Sequence, residues 1–337
     1  MRPILFSLLA ALAFPPTSAA APTTPGPKLN LQQPSGQPAH VERVQPAVVG
    51  IAVRVPLDRP SALTLGPVRW GSGVIFDPAG YVLTVSYIVM DAEIIQVVLR
   101  DGRTVPGKPV GFDLEHGLGV LKLEGEGPWP AAPLGDSSKV VVGTATTTIG
   151  VDDENNLVVT QGSVQEIRTF AGYWEYLLDR AFVVAPYNPS FGGSPLVNVQ
   201  GEVIGITNLR IGERPYVNLA IPIEYFTATK DELIRQGRVA SRPARPWLGL
   251  WILAGPDGVV VAGASPRSPA IQAGFQRGDV IVRINGEKVE SQEEFYRKLW
   301  QTQVGQEVSL VVLRESRFHV ITVRPIDRYQ LLPPMGK

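Results

Sequence analysis

A chain of 337 residues suggests two or three domains. It is 44% hydrophobic and 18% charged, and its 31 basic and 31 acidic side chains cancel; it can bury sizeable cores and carries no charge excess pointing to nucleic acid or another polyanion. The absence of cysteine excludes thiol catalysis, zinc–thiolate sites and disulfides, and the three histidines (His40, His116, His319) lie far apart, so neither a metal nor a cofactor is expected.

Residues 1–21 read as a secretory signal. Arg2 supplies the positive start, Ile4 to Phe14 an apolar run too short to span a bilayer, and Ser18-Ala19-Ala20-Ala21 a small-residue cleavage site. No later run reaches the ~18 apolar residues of a membrane helix. The expectation is export to the periplasm or another extracytoplasmic space, with no membrane span after cleavage; a retained anchor is the rival reading. Residues 22–40, rich in Pro, Thr and Gly, read as a tether.

An ordered domain is expected over 41–238. Gly73-Val74-Ile75-Phe76, the turn Asp77-Pro78-Ala79-Gly80 and Tyr81-Val82-Leu83-Thr84 signal a hairpin. Further short strands are expected near 94–99, 118–123, 140–149, 157–167, 182–185, 203–207 and 217–221. Many short strands at regular spacing argue for a barrel or sandwich. Residues 223–236 read as one amphipathic helix closing the domain. A linker follows at 239–245, then a second domain over 246–328 and a tail at 329–337. In the second domain the strand Trp247–Trp251 precedes a strand at 258–263, a capped helix at 268–274 and a strand at 279–284 that turns at Asn285-Gly286. A helix over 291–301 has Ser291 as N-cap and Glu294 three residues on, and strands at 308–313 and 318–323 end the domain.

One stretch stands out: Asn188-Pro189-Ser190-Phe191-Gly192-Gly193-Ser194-Pro195-Leu196-Val197-Asn198. With Gly71-Ser72-Gly73-Val74-Ile75, Gly80-Tyr81-Val82-Leu83-Thr84, Leu134-Gly135-Asp136-Ser137, Gly201-Glu202-Val203-Ile204-Gly205-Ile206 and Leu219-Ala220-Ile221-Pro222, it resembles the HtrA/DegP-type serine proteases. Ser268-Pro269-Ala270, Gly278-Asp279-Val280-Ile281 and Ile284-Asn285-Gly286 resemble a PDZ domain. The resemblance implies a mainly β fold, a trypsin-like double β-barrel followed by a small α+β PDZ domain.

It also assigns the catalytic slots. The family's Leu-Thr-Asn-Asn-His-Val-Val stands as Leu83-Thr84-Val85-Ser86-Tyr87-Ile88-Val89, so the base falls on Tyr87. Its Asp-Leu-Ala-Val-Leu-Lys stands as Gly117-Leu118-Gly119-Val120-Leu121-Lys122, so the orienting acid falls on Gly117. The nucleophile falls on Gly192. Acyl transfer needs a nucleophile, a base and an acid that orients the base; a phenol of pKa about 10 is a poor base near neutrality, and glycine offers no group at all. The expectation is a pseudoprotease with no catalytic residue. In the oxyanion loop Ser190 and Phe191 replace Gly and Asn, and Phe191 either plugs the substrate pocket or points into the core. The rival nucleophile is Ser194, which requires shifting the loop by two residues. His116, beside the acid slot, is expected to be a surface or loop histidine. Restoring Tyr87→His, Gly117→Asp and Gly192→Ser, with Ser190→Gly and Phe191→Asn where needed, is expected to return weak hydrolysis.

The resemblance places a carboxylate-binding loop at Trp247-Leu248-Gly249-Leu250, with Phe295 and Leu299 walling the peptide groove or serving as core. The expected partner is a polypeptide C-terminus or extended segment, and the expected role is chaperone-like, adaptor or regulatory. Trimer-type assembly, of this chain or mixed with an active relative, is a further implication. An active endopeptidase of protein quality control and a structural docking component of an envelope complex are the alternatives. Trp70, Trp129 and the cluster Tyr173-Trp174-Glu175-Tyr176 are candidate contact aromatics or ordinary core.

Overall fold

The computed structural model describes residues 37–256 and 258–332. The expected signal segment 1–21, residues 22–36 of the expected tether and residues 333–337 of the expected tail lie outside the described residues; the last two tether residues, Ala39 and His40, already belong to the helix Ala39–Val44.

Twelve strands build two closed antiparallel barrels. The first contains β1 (Val48–Arg54), β2 (Val68–Asp77), β3 (Tyr81–Val85), β4 (Ile94–Val98), β5 (Thr104–Asp113) and β6 (Leu118–Leu123), in the order β1-β2-β3-β6-β5-β4. The second contains β7 (Ala145–Val151), β8 (Leu157–Gly172), β9 (Tyr176–Ala185), β10 (Pro195–Val197), β11 (Val203–Ile211) and β12 (Val217–Pro222), in the order β10-β11-β12-β9-β8-β7. β-Branched residues dominate strands such as Val48-Val49-Gly50-Ile51-Ala52-Val53, which fit a pleated, buried surface. The β2–β3 turn forms as its sequence demands: Gly80 adopts φ +92° and the Asp77 carboxylate accepts the Ala79 amide at 2.8 Å.

β5 is a strand where none is expected from sequence. Its Pro106-Gly107-Lys108-Pro109 run looks like a turn. Barrel closure nevertheless pairs it with β4 and β6, and a register shift between Pro109 and Gly111 accommodates the imino ring. The single helix expected over 223–236 is two short ones, Glu224–Thr227 and Lys230–Gln236, because Thr229 leaves helical geometry at φ −130°, ψ 3°.

The third unit is a small sheet flanked by helices. Its strands are β13 (Pro246–Trp247), β14 (Leu250–Gly255), β15 (Gly258–Ala264), β16 (Val280–Ile284), β17 (Glu287–Lys288), β18 (Val308–Arg314), β19 (Arg317–Val323) and β20 (Ile326–Asp327), with the main sheet ordered β14-β15-β16-β18-β19. The helix Gln292–Trp300 is capped by Ser291, whose hydroxyl accepts the Glu294 amide at 3.1 Å. The Glu294 side chain takes the Glu290 amide instead of closing a reciprocal box.

Asp113, at the end of β5, ties the first barrel to the linker. Its fully buried carboxylate accepts His116 Nδ1 at 2.7 Å and Arg242 Nη1 at 3.0 Å. Beside it Arg245 pairs with Glu115 at 3.0 Å and lies over the Trp300 ring, and the Tyr329 hydroxyl donates to the Phe112 carbonyl at 2.8 Å. Among the described residues no helix is long and apolar enough to cross a membrane.

Candidate functional site

The junction of the barrels brings the three slots near one another. The Ser72 amide donates to the Gly192 carbonyl at 2.8 Å, and the Ser86 amide to the Gly117 carbonyl at 2.8 Å. A Cβ on Gly192 would stand 3.0 Å from the Tyr87 hydroxyl, so the side-chain direction at 192 runs straight onto position 87. That hydroxyl donates to the Asn208 carbonyl at 2.9 Å, and burial pushes the phenol above its ordinary pKa. A neutral phenol that donates its proton to a backbone oxygen is not a base. A Cβ on Gly117 would meet the Tyr176 hydroxyl at 3.1 Å. Tyr176, buried on β9, thus lies against the acid slot; its hydroxyl donates to the His116 carbonyl at 2.7 Å and accepts from Asn208 Nδ2 at 3.3 Å.

The oxyanion loop is engaged elsewhere. The Ser190 amide donates to Asn188 Oδ1 at 2.8 Å. Phe191 is half-buried, with its ring 6.1 Å from Tyr187. Ser194 is completely buried; its hydroxyl donates to the Ser190 carbonyl, and its own carbonyl accepts the Thr207 amide and hydroxyl. A serine held this way has neither an exposed oxygen nor a base beside it. His116 lies in the β5–β6 turn, a loop histidine as one half of the expectation had it, but not a surface one: it is buried, paired with Asp113 and stacked on Tyr225 at 4.1 Å. Among the described residues no serine hydroxyl bonds to it. His40 bonds Thr147 at 2.9 Å. Trp129 is buried core, while half-buried Trp70 donates to the Val151 carbonyl at 3.3 Å.

The carboxylate-binding loop holds a carboxylate, but one from the same chain. The β8–β9 hairpin reaches out of the second barrel and places Glu175 in the loop. Leu248 N donates to Oε2 at 3.0 Å and Leu250 N to Oε1 at 2.7 Å, while Gly249 between them adopts φ +81°. The Ile252 amide on β14 donates to the Tyr173 carbonyl at 2.8 Å, a main-chain bond of the kind an added strand makes. The Tyr296 hydroxyl accepts the Glu175 amide at 3.0 Å and donates to the Gly172 carbonyl at 2.6 Å. Leu177 joins the apolar cluster of Leu248, Leu250, Phe295 and Leu299, all buried. Trp247 is buried too. The groove expected to be open to a partner is filled, and Phe295 and Leu299 lie in the core.

The sequence marks Tyr173-Trp174-Glu175-Tyr176 only as contact aromatics or core, and the separate roles of Glu175 and Tyr176 are missed. A signal was present: three aromatics around one acid call for burial rather than an exposed loop tip. The amides that Glu175 accepts lie 73 and 75 positions away.

Burial pushes the Glu175 carboxyl up to about 7, against the Leu248, Leu250 and Gly249 amides and the Arg328 charge, which favour ionisation; the Tyr296 hydroxyl also faces it. A carboxyl whose docked pKa lies above its free value binds a proton on docking. The proton-linked part of its docking energy is therefore full below the free value of about 4.3 and lost as pH rises through about 7, roughly 3–4 kcal/mol in all. Protection of the Leu248 and Leu250 amides against hydrogen exchange, corrected for intrinsic rate, should fall from about pH 5 to about pH 8. Glu175→Gln should flatten that dependence, and an unchanged slope in this variant contradicts the assignment.

Comparison with known proteins agrees with this architecture. The trypsin-like peptidase domain family matches residues 71–206 and the PDZ domain family residues 232–324. The putative serine protease HhoA of Synechocystis sp. is 31% identical over 278 residues, covering 75% of this chain and 70% of HhoA. A probable periplasmic serine endoprotease DegP-like of Halomonas elongata is 32% identical over 268 residues, covering 75% of this chain; the chain spans 55% of that relative's length, about half. Among solved structures, the HtrA-type protease AlgW with tripeptide aligns at a TM-score of 0.54 with 28% identity, covering 88% of this chain and 98% of that one. Paired barrels, a carboxylate-binding loop beyond them and this degree of shared sequence make the chain a member of the HtrA/DegP-type serine protease family, with a trypsin-like domain followed by a PDZ domain.

Proposed function

We propose that this chain is a non-catalytic member of its family, an exported pseudoprotease that binds polypeptide C-termini or extended segments through its PDZ domain and acts as a chaperone-like, adaptor or regulatory subunit. One observation carries the reading: the side-chain direction of Gly192 points onto the hydroxyl of Tyr87, so the position facing the base slot has no oxygen to offer. Tyr176 packed against Gly117 and the Ser190 amide turned to Asn188 support it. An extracytoplasmic location accords with the relative named as periplasmic. Assembly as a trimer, or with an active relative, belongs to the same proposal.

The purified chain should remain unlabelled by a fluorophosphonate probe and should leave an unfolded protein substrate uncut. Labelling at Ser194 would overturn the proposal in favour of a working endopeptidase. A second reading, a docking component of an envelope complex, is favoured by the self-filled groove, since a PDZ fold used only for packing needs no free ligand site.

A further inference from the structure

We propose that Glu175 is the resident ligand of the PDZ carboxylate loop, and that a free polypeptide C-terminus enters this site only by displacing the Tyr173–Glu175 tip. The inference rests on the peptide-binding part of the proposed function and specifies how that site is controlled.

Three features of a bound C-terminal peptide are reproduced within the chain. The two oxygens of Glu175 accept separate amides of one loop, at 3.0 and 2.7 Å, as a terminal carboxylate would. The Tyr173 carbonyl takes the Ile252 amide on the outer edge of β14, the terminal strand of the sheet. Leu177 supplies an apolar side chain to the cluster containing Phe295 and Leu299. The helix side of the groove is tied to the tip as well, since Tyr296 bonds both Gly172 and Glu175. Glu175 holds a left-handed φ of +57°, a conformation that costs an L-residue roughly 1 kcal/mol and persists where surrounding contacts dictate it.

An incoming chain end must therefore find the same two amides and the same edge bond. Binding is competitive, and the internal ligand has the advantage of tethering: a group held on the same chain acts at a local concentration on the order of millimolar. Only peptides that better this internal competitor, or conditions that undock the tip, open the groove. The ligand class is a chain end with a free carboxylate and an apolar last side chain, because the loop offers amides and the walls are hydrocarbon.

The test uses the full chain and a fluorescein-labelled decapeptide pool, randomised at its last three residues, with a free or an amidated terminus. At about pH 5.5, Glu175→Ala should bind the free-carboxylate pool at least roughly tenfold more tightly than wild type by anisotropy. Tyr296→Phe, which loosens the tip without touching the carboxylate loop, should gain about threefold. The amidated pool should bind to none of them. Equal affinity in wild type and both variants overturns the internal ligand while leaving peptide binding intact. No binding by any variant, each checked by circular dichroism to be folded, overturns both the internal ligand and the peptide-binding reading, and leaves the docking-component reading standing. Fluorophosphonate labelling is independent of either result.

Discussion

The triple variant Tyr87→His/Gly117→Asp/Gly192→Ser is expected to hydrolyse no protein substrate and to be less stable than wild type by roughly 2–4 kcal/mol. Sequence alone favours weak recovery; the geometry reverses that expectation. Gly117 sits at φ +78°, where a residue bearing a Cβ is strained, and its Cβ would stand 3.1 Å from the Tyr176 hydroxyl. That hydroxyl cannot easily retreat, being pinned to the His116 carbonyl and approached by Asn208. An aspartate there is crowded by the Tyr176 ring from its first side-chain atom, in a strained backbone conformation, and is expected not to orient the base. A serine at 192 would face position 87 correctly, yet the Ser190 amide that should help hold the oxyanion donates to Asn188. Adding Tyr176→Ala relieves the contact but removes a buried phenol, so the quadruple variant should also melt below wild type. Steady-state cleavage of a fluorogenic protein and a urea melt decide the matter. Turnover by the triple variant at wild-type stability would show that the acid slot is more open than this packing allows.

Asp113→Ala should destabilise the chain by about 3–5 kcal/mol and free the linker between barrels and PDZ domain. Its carboxylate is 1% exposed and faces two basic side chains, His116 and Arg242. Removing it leaves His116 Nδ1 without its acceptor and Arg242 with only Glu115, at 3.6 Å, and breaking a pair by deleting its buried member is the costly case. Burial by itself would push the Asp113 carboxyl up, but His116 and Arg242 outweigh burial and hold it below the ordinary carboxylate range. A depressed folded pKa gives stability present above the unfolded value of about 3.9 and lost as pH falls through the folded one. The contribution thus survives mild acid and disappears only in strong acid. Glu115→Ala is the matched control: Glu115 meets Arg245 and Arg242 at a more exposed position, 13% against 1%, and should cost less. Urea melts, with limited proteolysis at residues 239–245, measure the effect; an Asp113→Ala loss below about 1 kcal/mol, within the range of a surface pair, counts against the hub.

Most of the architecture is legible in the order of residues, because its signals are local. The β2–β3 hairpin follows from short apolar runs on either side of Asp77-Pro78-Ala79-Gly80, and the helix at 292–300 from Ser291 ahead of an apolar face. β5 is illegible for the same reason: its prolines and glycines say turn, and only pairing with β4 and β6 makes them a strand. The place of Gly192 in the loop can be counted from its flanks, but the direction of its absent side chain depends on how two barrels meet.

By itself, the sequence determined that the slots 87, 117 and 192 carry a phenol and two glycines, since composition at a position is independent of folding. Only the tertiary structure decided what occupies the space those side chains leave. Tyr176 fills the acid slot from 59 positions further along, and Glu175 answers the Leu248 amide from 73 positions away. Contacts at that separation have no periodicity to reveal them: they form because burying an aromatic tip and pairing its carboxylate lowers the free energy of the whole chain, a quantity no local window contains.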